Sequence, residues 1–253
     1  MKNNHKVFFA GILALALIFG LMLTGCGGDG TDTGGPGQVA IPPPAIDSLP
    51  ALPVVGGISA VTSESEALTL LAAIKASSVW TINDTVEDLV EEKSTSFPDG
   101  YRWDFTDNTD MGYAISSKGN YSKTGSAMVG REVTTSDTTI EFTSNKTFGS
   151  SPVVTFYLGS TIREIQNTDY SWNSRGDWGY EGGGSAYGLT VSASGKSARI
   201  IFSNQWYAWE NESGDEGLTI SGFLKVYGTS NTPVLTRTFD NGEDAIAVQA
   251  LFN

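Results

Sequence analysis

The spacing of apolar residues changes character three times along this chain. Val7 to Leu23 is one apolar run, broken only by Gly11 and Gly20. Gly27 to Gly37, GGDGTDTGGPG, then carries no large apolar residue, and Pro42-Pro43-Pro44, Pro50 and Pro53 punctuate the stretch from Gln38 to Ile58. At Ser63 a helical period sets in. Ser63-Glu64-Ser65-Glu66 is a capping-box pattern, a hydroxyl residue followed three positions on by Glu. Ala67, Leu70, Leu71 and Ile74 come next at helical spacing, which predicts a helix over Ser63 to Ala76 with one buried face. Asp84-Thr85-Val86-Glu87 repeats the pattern more weakly, with a short stripe of Val86, Leu89 and Val90 before Glu91-Glu92-Lys93.

From Pro98-Asp99-Gly100 the period falls to two. Thr138, Ile140 and Phe142 alternate with Thr139, Glu141 and Thr143, and Leu189, Val191 and Ala193 with Thr190, Ser192 and Ser194. Leu218, Ile220, Leu224 and Val226 share a face, while Val153 to Leu158 is apolar on both faces and reads as a central strand. Ser194-Gly195-Lys196, Ser213-Gly214-Asp215 and Asn241-Gly242 each separate two such stretches, as hairpin loops do. The pattern predicts a mainly β body, an antiparallel meander closing as a barrel or sandwich or left as a curved open sheet, preceded by one or two short helices. Its Thr-, Ser- and Lys-rich faces are expected to meet water. About 155 residues of body suffice for one core. The Gly-rich stretches match neither a phosphate loop nor a dinucleotide fingerprint and read as turns and tether.

The first apolar run follows Lys2 and Lys6 and ends in small residues, the build of a secretory signal. It is also long enough for a membrane-spanning helix, for which about 20 apolar residues are needed. Leu23-Thr24-Gly25-Cys26 decides between them. It resembles the lipobox of bacterial lipoproteins, a leucine, two small residues and a cysteine. The resemblance covers residues 1–26 and implies that Cys26 receives a diacylglyceryl group, that the chain is cut before it, and that its amine is acylated. More than one acyl chain gives stable membrane attachment, each buried methylene contributing about 0.8 kcal/mol. In enteric bacteria an aspartate after the cysteine retains such proteins at the inner membrane; Gly27 stands there and favours the outer one.

Charge and composition narrow the chemistry. Cleavage before Cys26 removes two positives, Lys2 and Lys6, and takes the formal charge from −13 to −15. That opposes binding to nucleic acid or to anionic membrane through charge. The single His, His5, leaves with the signal, and the single Cys is Cys26. No intrachain disulfide can form. Ser-His-Asp, Cys-His and histidine-ligated metal mechanisms lack their parts in the mature chain. No cofactor is expected.

Two aromatic groups are the candidate ligand sites. Tyr170, Trp172, Trp178 and Tyr180 surround Gly176 and precede Gly182-Gly183-Gly184; Trp206-Tyr207-Ala208-Trp209 lies near a hairpin tip. Exposed rings beside polar groups grip sugars by stacking and hydrogen bonding. Strand alternation places Trp206 on the core face with Ile200 and Phe202, and Trp209 with Tyr207 on the other. Trp172, Trp178, Tyr180, Tyr207 and Trp209 are therefore the candidate ligand-binding residues. Acidic residues at Glu210, Glu212, Asp215 and Glu216 and at Asp104, Asp107 and Asp110 could recruit calcium but lack the EF-hand spacing. Asp169, Asp177 and Glu181 could furnish a glycosidase pair.

Four regions result: residues 1–25 a lipoprotein signal peptide, 26–57 the lipidated cysteine and a Gly/Pro-rich tether, 58–97 a helical lead-in, and 98–253 the β-rich domain. Val39 to Ile58 has a second option, to dock on the domain surface. The expected protein is a lipid-anchored, non-catalytic component of the cell envelope, on the outer membrane, with no catalytic or metal residues. Its partners are the membrane, through Cys26, and a glycan or an apolar small molecule. The rival readings are a carbohydrate-binding module or adhesin and a carboxylate-based glycan hydrolase.

Overall fold

The computed structural model describes residues 39–54, 56–77, 82–108 and 110–240. The lipobox, the apolar run before it and the Asn241-Gly242 turn lie outside the described residues. Among the described residues, no helix is long and apolar enough to cross a membrane.

Two helices precede most of the sheet, α1 (Glu64–Ala76) and α2 (Ile82–Lys93). Ser63 caps α1, its Oγ accepting from the Glu66 N–H at 3.3 Å. The return bond differs from a standard capping box. Glu66 reaches one residue further back and accepts from the Thr62 N–H at 2.7 Å. Its other oxygen meets Lys196 Nζ at 2.6 Å, and with Thr62 this holds the Glu66 carboxyl down at about 2.

The strands are β1 (Ser59–Ala60), β2 (Thr95–Phe97), β3 (Gly100–Asn108), β4 (Tyr113–Gly125), β5 (Gly130–Phe142), β6 (Lys146–Phe148), β7 (Val154–Phe156), β8 (Thr161–Asn173), β9 (Gly176–Ala193), β10 (Lys196–Glu210), β11 (Glu216–Tyr227) and β12 (Pro233–Asp240). They form one 12-stranded sheet with the path β12-β11-β10-β9-β8-β5-β4-β3-β2. The path is antiparallel throughout, and its two ends do not pair, so the meander stays open among the described residues. The short β6–β7 hairpin continues the β5–β8 pair, with β7 taking over from β8 beside β9.

The helices lie on one face, the inner face. Leu70, Leu71 and Ile74 of α1 and Val86 and Val90 of α2 share a core with Ile115, Phe142, Leu189, Ile200, Phe202, Leu224 and Leu235. The alternation expected at Thr138–Thr143, Leu189–Ala193 and Leu218–Val226 is present, its apolar members turned inward.

Three sequence expectations change. Val153 to Leu158 is no long central strand: only Val154–Phe156 pairs, and Val153 and Leu158 are exposed. Pro98-Asp99 is the turn of a β2–β3 hairpin, so strand begins before Pro98. Gly182-Gly183-Gly184 is not a turn but the middle of β9. A Cβ on Gly183 would stand 2.2 Å from the Ile165 carbonyl oxygen and 3.3 Å from the Trp206 ring. One on Gly184 would stand 2.1 Å from the Val39 carbonyl oxygen. Close approach from both sides of the sheet demands glycine there.

Within Val39 to Ile58, residues 39–50 take the docked option, while Val54 is exposed. Ile41 and Leu49 are buried, and Leu49 packs with Ile201 and Tyr227 on the outer face. Ser203 Oγ donates to the Ile41 carbonyl at 3.1 Å and Thr190 Oγ1 to the Pro50 carbonyl at 2.8 Å. Thr190 is thereby buried instead of meeting water, and Ser192 is buried with its hydroxyl 3.0 Å from that of Tyr157. The chain then rounds the β9–β10 end, where β1 adds two parallel pairs to β10, and enters α1 on the inner face. The two-residue loop it passes, Ser194-Gly195, has φ of 53° and 75°, the left-handed geometry of a tight hairpin.

Candidate functional site

Strand register sorts the aromatic candidates between the two faces. Residues of even number in β9 and odd number in β10 point outward, as Gly184 against Val39 and Ser203 against Ile41 attest. Trp178, Tyr180, Tyr207 and Trp209 therefore share the outer face. Tyr180 stands directly opposite Trp209 and Tyr207 opposite Gly182. The Tyr180 and Tyr207 ring centroids are 6.0 Å apart at 32°. Trp209 lies flat: a Cβ on its cross-strand neighbour Gly217 would be 2.4 Å from the indole Nε1. Its other side is open, and the residue is 37% exposed. The three rings form a low platform on neighbouring strands, with Trp178 two residues along β9.

A polar border runs beside the platform. Arg131 grips Asp169 with both arms of its guanidinium, Nε to Oδ1 at 2.7 Å and Nη2 to Oδ2. The ion pair and the nearby Tyr180 together push the guanidinium further into its charged form. On the other side Gln205 Nε2 donates to Ser221 Oγ at 3.0 Å. Flat rings beside fixed planar hydrogen-bonding groups can stack one face of a sugar and bond its hydroxyls.

Trp172 does not join this group. It is on the inner face, its ring laid over Gly130 and its indole N–H donating to the Ser126 carbonyl at 2.9 Å. Lys123 Nζ sits 5.1 Å above the ring. Both ring faces are occupied, and the residue staples the β4–β5 hairpin. Trp206 is inward and half-buried against the core, as alternation requires.

The acidic candidates disperse. Asp169 is outward and tied to Arg131, whereas Glu181 is inward, buried, and accepts from Gln166 Nε2 at 2.7 Å. Burial pushes the Glu181 carboxyl up, offset in part by Gln166. The structure does not bring Asp169 and Glu181 together. Asp215 is spent within its own turn, accepting from Asn211 Nδ2 at 2.9 Å. Asp104 and Asp107 stand near Lys118 and Lys93, at 3.7 and 3.9 Å. Among the described residues, no group of three or more His, Cys, Asp or Glu could hold a metal ion.

A set of partly buried polar pairs on the inner face escaped sequence reading. Tyr187 donates to Glu164 at 2.8 Å, the Ser185 N–H to Asn204 Oδ1 at 2.8 Å, and Trp103 Nε1 to Ser117 Oγ at 2.9 Å. Burial pushes the Glu164 carboxyl up despite the tyrosine, and drives the Tyr187 phenol well above its ordinary value. The only signal available was Glu164 and Gln166 continuing the inward alternation of Ile162. No family model, curated protein or solved structure matches the chain.

Proposed function

We propose that this protein is a lipid-anchored, non-catalytic component of the cell envelope that binds glycan on the outer face of its sheet. The observation that carries the reading is the Tyr180–Tyr207–Trp209 platform. Three half-exposed rings lie low on adjacent strands, one seated flat on a glycine, beside the Arg131–Asp169 fork. The anchor reading rests on Leu23-Thr24-Gly25-Cys26. Residues 27–38 separate that cysteine from Val39, which docks on the platform's own face. An apolar small molecule finds less support, because the cavity under α2 is about 60 Å³ and has two carboxylates in its walls.

Two experiments test the proposal. Trp209→Ala and Tyr180→Ala should each abolish retention on an envelope-glycan array while the circular dichroism spectrum stays unchanged. Retention equal to the parent chain would remove the platform from the account. Cys26→Ala should abolish incorporation of labelled palmitate and partitioning into detergent phase, and continued labelling would refute the anchor.

A further inference from the structure

On the face opposite the platform, α2 and the sheet enclose a cavity of about 60 Å³, room for about four to six waters at roughly 10–15 Å³ each. Asn83 and Glu87 of α2, Ser136 and Thr138 of β5, Glu164 of β8 and Trp206 of β10 form its polar and aromatic walls. No Lys, Arg or His is among the lining residues. Glu164 spends one oxygen on the Tyr187 hydroxyl, and no other hydrogen bond or ion pair reaches the carboxylate among the described residues.

A carboxylate held away from bulk water without a counter-ion is a costly arrangement, relieved by a proton or by a cation that enters. The remaining walls suit the second. Trp206, seated over Gly183, offers an indole ring, and aromatic faces attract ammonium groups. Ser136, Thr138 and the Asn83 amide offer acceptor oxygens. Calcium and magnesium take six or more oxygen ligands, and no group of three or more His, Cys, Asp or Glu that could hold a metal is present among the described residues. Asn83 and Glu87 are half-exposed on α2, so the cavity reaches solvent along that helix.

We propose that this cavity binds a small organic ammonium compound, with Glu164 as its counter-ion, the Trp206 ring as its cation–π wall and Glu87 at the mouth. The assignment is independent of glycan binding, since the platform faces the other way. The test titrates the purified full chain with ethanolamine hydrochloride and follows the Trp206 indole N–H by NMR, identified by its loss in Trp206→Phe. Sodium chloride at equal ionic strength is the blank. Propan-1-ol, which replaces the ammonium by a methyl group, is the neutral analogue.

The expected result is a saturable shift with ethanolamine in the millimolar range, none with either control, and at least a tenfold loss of affinity in Glu164→Gln. Glu87→Gln, on the helix surface, should weaken binding severalfold and keeps the test decisive should Glu164→Gln fail to fold. A shift that does not saturate, an equal response to propan-1-ol, or unchanged affinity in both Gln variants overturns the proposal.

Discussion

What lies beneath an indole ring decides what the ring can do. Trp206 and Trp209 are three residues apart on one strand, yet one is seated on the core and the other on a glycine at the surface. Trp206→Ala removes packing against the core and should cost about 3 kcal/mol, the lower end for a large aromatic because the ring is only half-buried. Trp209→Ala should stay within about 1 kcal/mol, as surface changes do. Urea denaturation of the two variants measures the difference, and equal losses would mean that the platform is structural. Glu164 allows a prediction in pH. Its carboxyl is pushed up by burial, so the folded state holds a proton that the unfolded chain releases earlier. Stability should therefore fall as pH rises from the ordinary carboxylate value through the raised one, and stay low above it. Tyr187 and Glu87 are the other titratable groups around it, and neither is a cation at neutral pH. Glu164→Gln keeps an acceptor for Tyr187 and removes the charge. It should raise the melting temperature near pH 7 and leave it unchanged well below the ordinary carboxylate value, where the carboxyl is protonated in both states.

At the scale of an element, the start of α1 is held by its cap and by a strand it meets only through the fold. Ser63→Ala should cost about 1 kcal/mol by thermal melting, the usual worth of an N-cap hydroxyl. Glu66 titrates at about 2 because Lys196 and Thr62 favour its charged form, against an ordinary 4.5. Its contribution is present above 4.5 and is lost as pH falls toward 2, so Glu66→Gln should flatten the acid limb of the stability curve over that window. The cap was legible in the sequence because it is local: four consecutive residues carry it. The strands from Thr138, Leu189 and Leu218 were legible because each buries its apolar face and its period is unambiguous. Gly182 to Gly184 was not, since a glycine run has the same appearance in a loop as in a strand approached closely from both sides. Nor was the burial of Thr190, whose cover comes from the proline-rich stretch far upstream. The platform was half legible. Alternation placed Tyr207 and Trp209 together, but only strand pairing could set Tyr180 beside them and send Trp172 to the other face.

In the whole molecule the sheet is held from both sides by chain that precedes it. Residues 39–50 lie on its outer face, α1 and α2 lie on its inner face, and β1 joins the two layers around one end. Gly184→Ala puts a methyl group where the Val39 carbonyl sits and should cost about 1–3 kcal/mol. It should also expose residues 39–50 to limited proteolysis while β9 and β10 stay protected, and a protected segment would show that the sheet yields instead. This layering sets an order in time. The docked segment meets its partners 140, 162 and 184 residues later in the chain, at Thr190, Ser203 and Asn231. The docked segment therefore lacks these partners until the strands that carry them have been made, and contacts of such separation form slowly. Only once β9 and β10 have been made do residues 39–50 find their seat, and only with Asn231, after β11, is that seat complete.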